Sequence, residues 1–359
     1  PHSILFAVYK FGGSRLLTRR LGRDGPLVPA LGVGFWGMGG GYGAASEDEA
    51  RSVVDRAIEL GSTLFDTAPA YGTAESFLGR TLGARRSQVF LVSKCGLAPD
   101  PVTGRLVLDG RPEAIRAHVD GSLRRLRTDW LDLLLVHYPD PRVPFADTMG
   151  ALDGLRRAGK ARFVGVSNFD AAQLRASAPH APLVANQVGY HLYDRRWERD
   201  AFAAARELGI AIMAYSPLAH GLLSGRFAER PAFPDDDWRS RGDTLVSQRL
   251  LDPANLAHNV AVTSRLAPLA ERHGRSIAQL AIAWVLGHDA VATVVTGSRR
   301  VAGLEENVGA LAVWLSPEDR RELEGIARDV WGYEDGLPEW PVRDERPARD
   351  ERPASTGAL

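Results

Sequence analysis

Eight short runs of apolar, β-branched residues recur along this chain, with helix-like stretches between them. The runs fall at residues 30–34, 63–66, 89–94, 131–137, 163–167, 183–188, 211–216 and 292–296. They are apolar at successive rather than alternate positions, which suits parallel strands covered on both faces. Amphipathic stretches at 47–60, 112–127, 145–158, 171–176, 199–208, 264–273 and 301–311 read as helices. Ser46 with Glu49 three places on makes a capping-box pattern. Pro112 suits a first helical turn. Eight strands, most followed by a helix, predict an α/β fold, the closed (β/α)8 TIM barrel.

The rival architecture is an open doubly wound sheet, which needs a glycine-rich fingerprint opening a helix after its first strand. The first run here continues into Gly34-Phe35-Trp36-Gly37-Met38-Gly39-Gly40-Gly41, and four more residues precede Ser46. That segment reads as a flexible active-site loop. Asp24-Gly25 signals a hairpin over residues 18–28. A long loop, 218–259, follows the seventh strand, and Ser316-Pro317-Glu318 opens an extra C-terminal helix. Residues 343–348 repeat as 349–354, and this charged, proline-rich tail is expected to be disordered. The expected organisation is a leader or extension at 1–17, one domain at 18–335 and a flexible tail at 336–359.

Lys+Arg and Asp+Glu both total 44. A balanced charge argues against a nucleic-acid partner, which selects for basic excess. No apolar run is long enough to span a membrane. Cys95 is the single cysteine, so no internal disulfide can form, and a cytoplasmic location is expected. His191, His220, His258 and His273 are scattered without a ligand at i+4, so no metal site is expected. Oligomeric state is not legible.

Three strand-like runs end in a titratable group: Asp66, Lys94 and His137, with Tyr71 five residues beyond Asp66. In a barrel of this kind those ends face the active site. Singly, each has a plain structural reading: a turn cap, a solvated lysine, a core histidine, a pocket aromatic. Together they form a proton-transfer set. Tyrosine, with a pKa of about 10, is a poor acid at neutral pH. A nearby lysine ammonium is expected to lower that value. Cys95 follows Lys94, and strand alternation points it into the packing layer instead.

This set, with its flanking segments, resembles the aldo-keto reductase superfamily from about residue 19 to about residue 329, near the branch of potassium channel β subunits and general aldehyde reductases. The resemblance implies that the 18–28 hairpin plugs the barrel bottom. It implies a catalytic tetrad of Asp66, Tyr71, Lys94 and His137, with Tyr71 as proton donor. It implies NADPH/NADP as cofactor and a small-molecule carbonyl substrate reduced to an alcohol. Gly34 and Trp36 fall at the cofactor's edge. Ser167, Asn168 and Gln187 resemble the carboxamide contacts, and Tyr215 the aromatic under the nicotinamide. Ser216, Leu218, Gly221 and Leu223 resemble the pyrophosphate loop. Gly297, Ser298 and Arg299 resemble the 2′-phosphate site, and Glu306 with Asn307 the adenine contacts. Gly303 stands where the family often has glutamine.

Trp36, Tyr138 and Trp331 are candidate substrate-pocket residues, with Phe35, Tyr42, Tyr333 and Trp340 as further aromatics. The sequence leaves the carbonyl class open. Two other functions remain: a nicotinamide-binding regulatory subunit with little or no catalysis, and a barrel lyase or isomerase using Lys94 as a Schiff base.

Overall fold

The computed structural model describes residues 7–8, 16–43, 45–227, 233–235, 237–240 and 246–332. Eight parallel strands close into a barrel in sequence order: β1 Leu31–Gly34, β2 Leu64–Asp66, β3 Phe90–Cys95, β4 Leu131–Val136, β5 Ala161–Ser167, β6 Leu183–Gly189, β7 Ala211–Tyr215 and β8 Val291–Gly297. β8 pairs back to β1 through Thr296↔Val33 and Gly297↔Gly34. Alternation sorts each strand's side chains. Val92, Leu133, Leu135 and Met213 fill the barrel interior, while Leu91, Leu134, Ile212 and Val294 join the outer core beneath the helices.

Around the barrel run α1 Glu47–Leu60, α2 Ala74–Leu82, α3 Pro112–Leu126, α4 Phe145–Arg157, α5 Ala171–Ser177, α6 Ala201–Leu208, α7 Pro253–Ser264, α8 Ala267–Arg272, α9 Ile277–Leu286, α10 Val301–Gly309 and α11 Pro317–Ala327. The capping box of α1 is present: Glu49 N–H donates to Ser46 Oγ at 3.1 Å, and Ser46 N–H donates to Glu49 Oε2 at 2.8 Å. Ser316 caps α11 in the same way.

The sequence reading misses two helices. α2 is short and carries Gly79 near its middle, a poor helix signal. That glycine is where α2 meets α3: a Cβ there would lie 2.4 Å from the Arg125 carbonyl oxygen. α9 is apolar on every side because every side is buried, so it lacks an amphipathic period. A third helix, α7, shortens the expected 218–259 loop, and the expected helix at 264–273 begins instead at Ala267.

The N-terminal hairpin pairs Leu17–Arg20 with Leu27–Pro29. Its turn is wider than an Asp24-Gly25 pair, closing with Leu21 N–H on Pro26 O at 2.8 Å. Leu21 and Val28 are fully buried against the lowest interior layer, with Val184, Ala185, Ala211 and Ala292. Ala7–Val8, inside the segment set aside as a leader, adds an edge strand to this hairpin. Leu17, from the same segment, is in the hairpin strand itself, while residues 1–6 and 9–15, Tyr333, Trp340 and the tail at 336–359 lie outside the described residues.

The hairpin closes the end of the barrel opposite the catalytic strand ends. Leu21→Ala is therefore expected to cost about 2–5 kcal/mol of stability. The check is equilibrium denaturation, where the midpoint falls and the slope stays constant. An unchanged midpoint would mean that the hairpin lies against the barrel without closing it.

Candidate active site

Inner-face positions at the carboxyl ends of the strands bring the titratable groups together. Asp66 from β2 and Lys94 from β3 are both buried, and Lys94 Nζ donates to Asp66 Oδ1 at 2.7 Å. Lys94 also donates to Thr67 O at 3.1 Å. Asp66 Oδ2 accepts from Gln187 Nε2 at 2.7 Å, across the barrel from β6. Above the pair, Lys94 Nζ lies 4.9 Å from the centre of the Tyr71 ring. The Tyr71 and His137 rings meet edge-on with centroids 5.6 Å apart. His137 stacks in turn on Tyr138 at 5.2 Å.

Close backbone approach fixes Tyr71. Gly39 packs on its carbonyl, where a Cβ would lie 1.8 Å from the oxygen, and Gly72 follows with φ of 53° beneath Gly39. The segment expected to be a flexible loop is thus a packed turn, with Trp36–Gly39 in a 3-10 helix and Phe35 and Met38 buried.

Burial sets the electrostatics. It pushes His137 well below the usual histidine range, and the Lys94 ammonium adds to this, so the imidazole is neutral. Burial also lowers Lys94, against the opposing pull of Asp66. Tyr71 moves contrary to expectation. Burial first, and then the Asp66 carboxylate, lifts its hydroxyl well above the ordinary tyrosine value. The Lys94 charge sits against the ring face and is already neutralised by Asp66, so it does not reverse this. Cys95 is buried in the outer layer, as alternation predicts, and its thiol is pushed up by burial.

One cavity of about 740 Å³ gathers most of the candidate residues. Gly34, Trp36, Asp66, Tyr71, His137, Tyr138, Ser167, Asn168, Gln187 and Tyr215 line it near the pair. Ser216, Leu218, Gly221, Gly297, Ser298, Arg299, Glu306 and Asn307 line it further out. Lys94 lies beneath the lining. Leu223 is buried in the outer core and does not reach the cavity. Trp331 is also not brought there: its ring stacks on His258 of α7 at 3.7 Å, and its backbone N–H donates to Asn259 Oδ1 at 2.7 Å.

The β5–β8 side is built from polar groups. Tyr215 donates its hydroxyl to Asn168 Oδ1 at 2.9 Å, and Asn168 Nδ2 donates to His137 O at 3.1 Å. Among the described residues, five other than glycine have positive φ, and four of them, Asn168, Ser216, Ala219 and His220, sit at this rim. Strain of that kind concentrates at working sites. The sequence reading did not anticipate Arg226 and Arg239 in the lining, which also includes Arg300 beside Arg299. Arg226 pairs with Glu306, and Arg239 with Asp237. Arg226 and Glu306 lie 80 residues apart and leave no local signal, whereas Arg239 and Asp237 are 2 residues apart. Arg299 donates to Tyr42 O at 2.7 Å. Gly303 leaves room for Ser298, whose Oγ would lie 2.8 Å from a Cβ at that position. Trp238 packs behind the lining residue Trp36, with ring centroids 5.6 Å apart, and its backbone N–H donates to Gly41 O at 3.3 Å.

A lysine–carboxylate pair beneath a tyrosine, facing a neutral histidine at the mouth of an eight-stranded barrel, is one constellation with a known family. The model of the aldo/keto reductase family matches residues 30–328.

This chain belongs to the aldo/keto reductase family.

Aldo-keto reductase yakc [NADP(+)] of Schizosaccharomyces pombe is 34% identical over 313 residues, covering 85% of this chain and 90% of that protein. Aldo-keto reductase str7 of Strobilurus tenacellus is 32% identical, covering 88% and 93%. Among solved structures, the glycerol dehydrogenase AKR11B4 from Gluconobacter oxydans superposes with a TM-score of 0.76 at 31% identity, covering 87% of this chain and 95% of that one. The chain is accordingly an oxidoreductase with the family's closed barrel. Among the described residues no helix is long and apolar enough to cross a membrane.

The Gly39 contact makes a direct test of the geometry. Gly39→Ala drives a methyl group into the Tyr71 carbonyl and displaces the ring. Turnover is expected to fall about ten- to a hundredfold, the scale of a misplaced reacting group, with far-UV circular dichroism unchanged. Full activity in this variant would show that Tyr71 is not held by the β1 loop.

Proposed function

We propose that this enzyme reduces an aldehyde or ketone to an alcohol with NADPH, and that Tyr71 delivers the proton. The observation that carries this reading is the buried Lys94–Asp66 pair directly beneath the Tyr71 ring, with His137 alongside. The donor set fits the cofactor. Tyr215 offers a flat aromatic floor beside the amide groups of Asn168 and Gln187, and four arginines line the outer reach of the same cavity. A planar carboxamide-bearing ring suits the first end and a polyphosphate the second. When bound, that cofactor supplies the hydride that the carbonyl carbon receives.

The chain's own residues handle the proton. Neutral His137 donates a hydrogen bond to the carbonyl oxygen and aims it at Tyr71. Tyr71, protonated across the neutral range, passes its proton to that oxygen as negative charge develops. The resulting tyrosinate is stabilised by the Lys94 ammonium and regains a proton from solvent. Asp66, held by Gln187, keeps Lys94 charged and in place. Ser298, Arg299 and Arg300, at the start of α10, receive the phosphate of the adenosine end. Lys94 lies below the cavity lining and is engaged by Asp66 and Thr67, which disfavours a Schiff-base lyase. A single reduced and buried cysteine suits the cytoplasm.

Tyr71→Phe is expected to lower kcat at least about a hundredfold, with the dissociation constant for NADPH little changed. In the parent enzyme the pH profile carries a signature. Tyr71 must be protonated to donate, and its pKa is raised, so the alkaline limb lies above the usual value of about 10. His137 must be neutral, and its pKa is lowered, so the acid limb lies below about 6.5. The reductive kcat should be flat between them. Near-normal turnover in Tyr71→Phe, or a limb centred near pH 8, would remove Tyr71 from the role. An enzyme that binds NADPH but turns over no aldehyde would point to a regulatory subunit instead.

Arg299→Ala is expected to reduce the preference for NADP over NAD about tenfold or more, the value of a lost charge-assisted contact. Equal losses for both cofactors would shift that role to Arg300.

A further inference from the structure

The loop after β3 folds into a second hairpin, Leu97–Pro99 with Leu106–Leu108, at the edge of the cavity. Its register places Leu97 opposite Leu108, and Pro99 opposite Leu106. Alternation then puts Leu97, Pro99, Leu106 and Leu108 on one face. The inner end of that face is buried: Leu97 and Leu108 pack with Tyr138 and Ala70 beside the catalytic residues. The outer end is open, with Leu106 43% exposed and still part of the cavity wall. The face carries this wall outward by two residues, about 7 Å at strand rise. Among the described residues, three of the five large hydrophobic side chains left exposed belong to this hairpin: Val102, Leu106 and Val107. Of these three, Leu106 lies on the inward face and lines the cavity, while Val107 alternates to the other face and Val102 sits at the tip.

The hairpin is also held in place. At its tip, Asp100 Oδ1 accepts from Val102 N–H at 3.1 Å and from Thr103 N–H at 2.8 Å. At its base, Arg142 donates to Leu108 O, and Asp140 Oδ2 accepts from Gly110 N–H at 3.0 Å. The charges of the cavity lie elsewhere. Its arginines come from the segments that follow β7 and β8, and its only charged lining group from β2 to β4, among the described residues, is Asp66. Asp66 is deep in the barrel and already paired.

We infer that this hairpin is a subsite for the uncharged apolar tail of the carbonyl substrate, and that it selects aldehydes and ketones bearing extended alkyl or aryl groups. The tail runs from the carbonyl at Tyr71 and His137, past Tyr138 and Leu97, to Leu106. This rests on the carbonyl-reductase reading above and names its substrate class. A preformed apolar surface continuous with the reaction cavity is the feature such a tail requires.

The test is kcat/KM for propanal, pentanal and heptanal with NADPH, alongside 6-oxohexanoate, whose chain ends in a carboxylate. Each added methylene is expected to raise kcat/KM about fourfold, the equivalent of ~0.8 kcal/mol per buried CH₂. The carboxylate is expected to fall at least about tenfold below pentanal. Leu106→Ser should flatten the chain-length trend, chiefly through KM, and leave propanal unchanged. Leu106→Met should restore the trend. Val102→Ser, at the exposed tip outside the cavity lining, should not alter it. A flat series in the parent enzyme, or a trend that survives Leu106→Ser, would overturn the subsite while leaving carbonyl reduction intact. Absence of turnover with every aldehyde would overturn the reductase reading itself.

Discussion

The ion pair between Lys94 and Asp66 is the constraint around which the catalytic end is organised. Both groups are almost wholly removed from water. Taking one charge out of water costs several kcal/mol, and only close pairing with further hydrogen bonds offsets it. Both oxygens of Asp66 are engaged, one by Lys94 and one by Gln187, and Lys94 has a second acceptor in Thr67. These contacts tie β2, β3 and β6 across the barrel. They also determine what the neighbours become. His137 stays neutral because it is buried beside an ammonium, and Tyr71 stays protonated because it is buried near a carboxylate. Burial, seconded by this pair, leaves Tyr71 and His137 in the states that the proposed acid and orienter require.

The barrel's two ends use the chain differently. At the bottom, Leu21 and Val28 seal the lowest layer with apolar contacts, and the hairpin that carries them is locked by Arg23 N–H on Gly209 O at 2.7 Å. At the top, four non-glycine residues hold positive φ, and buried polar side chains replace apolar ones from Asp66 to Tyr215. Such conformations cost about 1–3 kcal/mol each and persist only when surrounding packing overdetermines them. The sealed bottom and the outer core of helices provide that packing. Separating stability from chemistry in this way lets the upper loops depart from ideal geometry without unfolding the barrel.

The strands were legible because a parallel strand covered on both faces leaves an apolar run that little else imitates. The proposed catalytic four stood out only as a set: Asp66, Lys94 and His137 each end such a run, with Tyr71 close behind, although each alone has an ordinary structural reading. Where the reading failed, the physics was not local. α9 is buried on all sides and so carries no period, and Gly79 of α2 answers to a carbonyl of Arg125 that the sequence places far away. Trp331 follows the last helix but finds its partners, His258 and Asn259, on α7. The direction of the Tyr71 shift depends on depth, which composition does not reveal. The hairpin after β3 did leave a signal, in the Asp100-Pro101-Val102-Thr103-Gly104 turn and the apolar run after it. Its place at the cavity edge was visible only in three dimensions.

The circular order of the strands divides the cavity into two walls with different tasks. From β5 round to β8 and α10 the lining is polar and basic, which suits a charged, amide-bearing cofactor that is the same for every reaction. From β2 to β4, among the described residues, Asp66 is its only charged group, and Ala70, Leu97 and Leu106 make it largely apolar apart from the reacting groups and Tyr138. Discrimination between carbonyl compounds must come from this second wall, because the first is committed. Within it, Asp66, Lys94, Tyr71 and His137 are, on the proposed mechanism, held fixed by the chemistry. The hairpin at 97–108 can change, since it meets that end of the barrel through apolar packing with Tyr138 and Ala70. Apolar contacts discriminate modestly, about fourfold for each methylene, so this wall yields graded preference for a class of tails rather than recognition of one compound. A strict choice would need a buried hydrogen-bonding group for the substrate to satisfy, and the hairpin's inward face of Leu97, Pro99, Leu106 and Leu108 offers none.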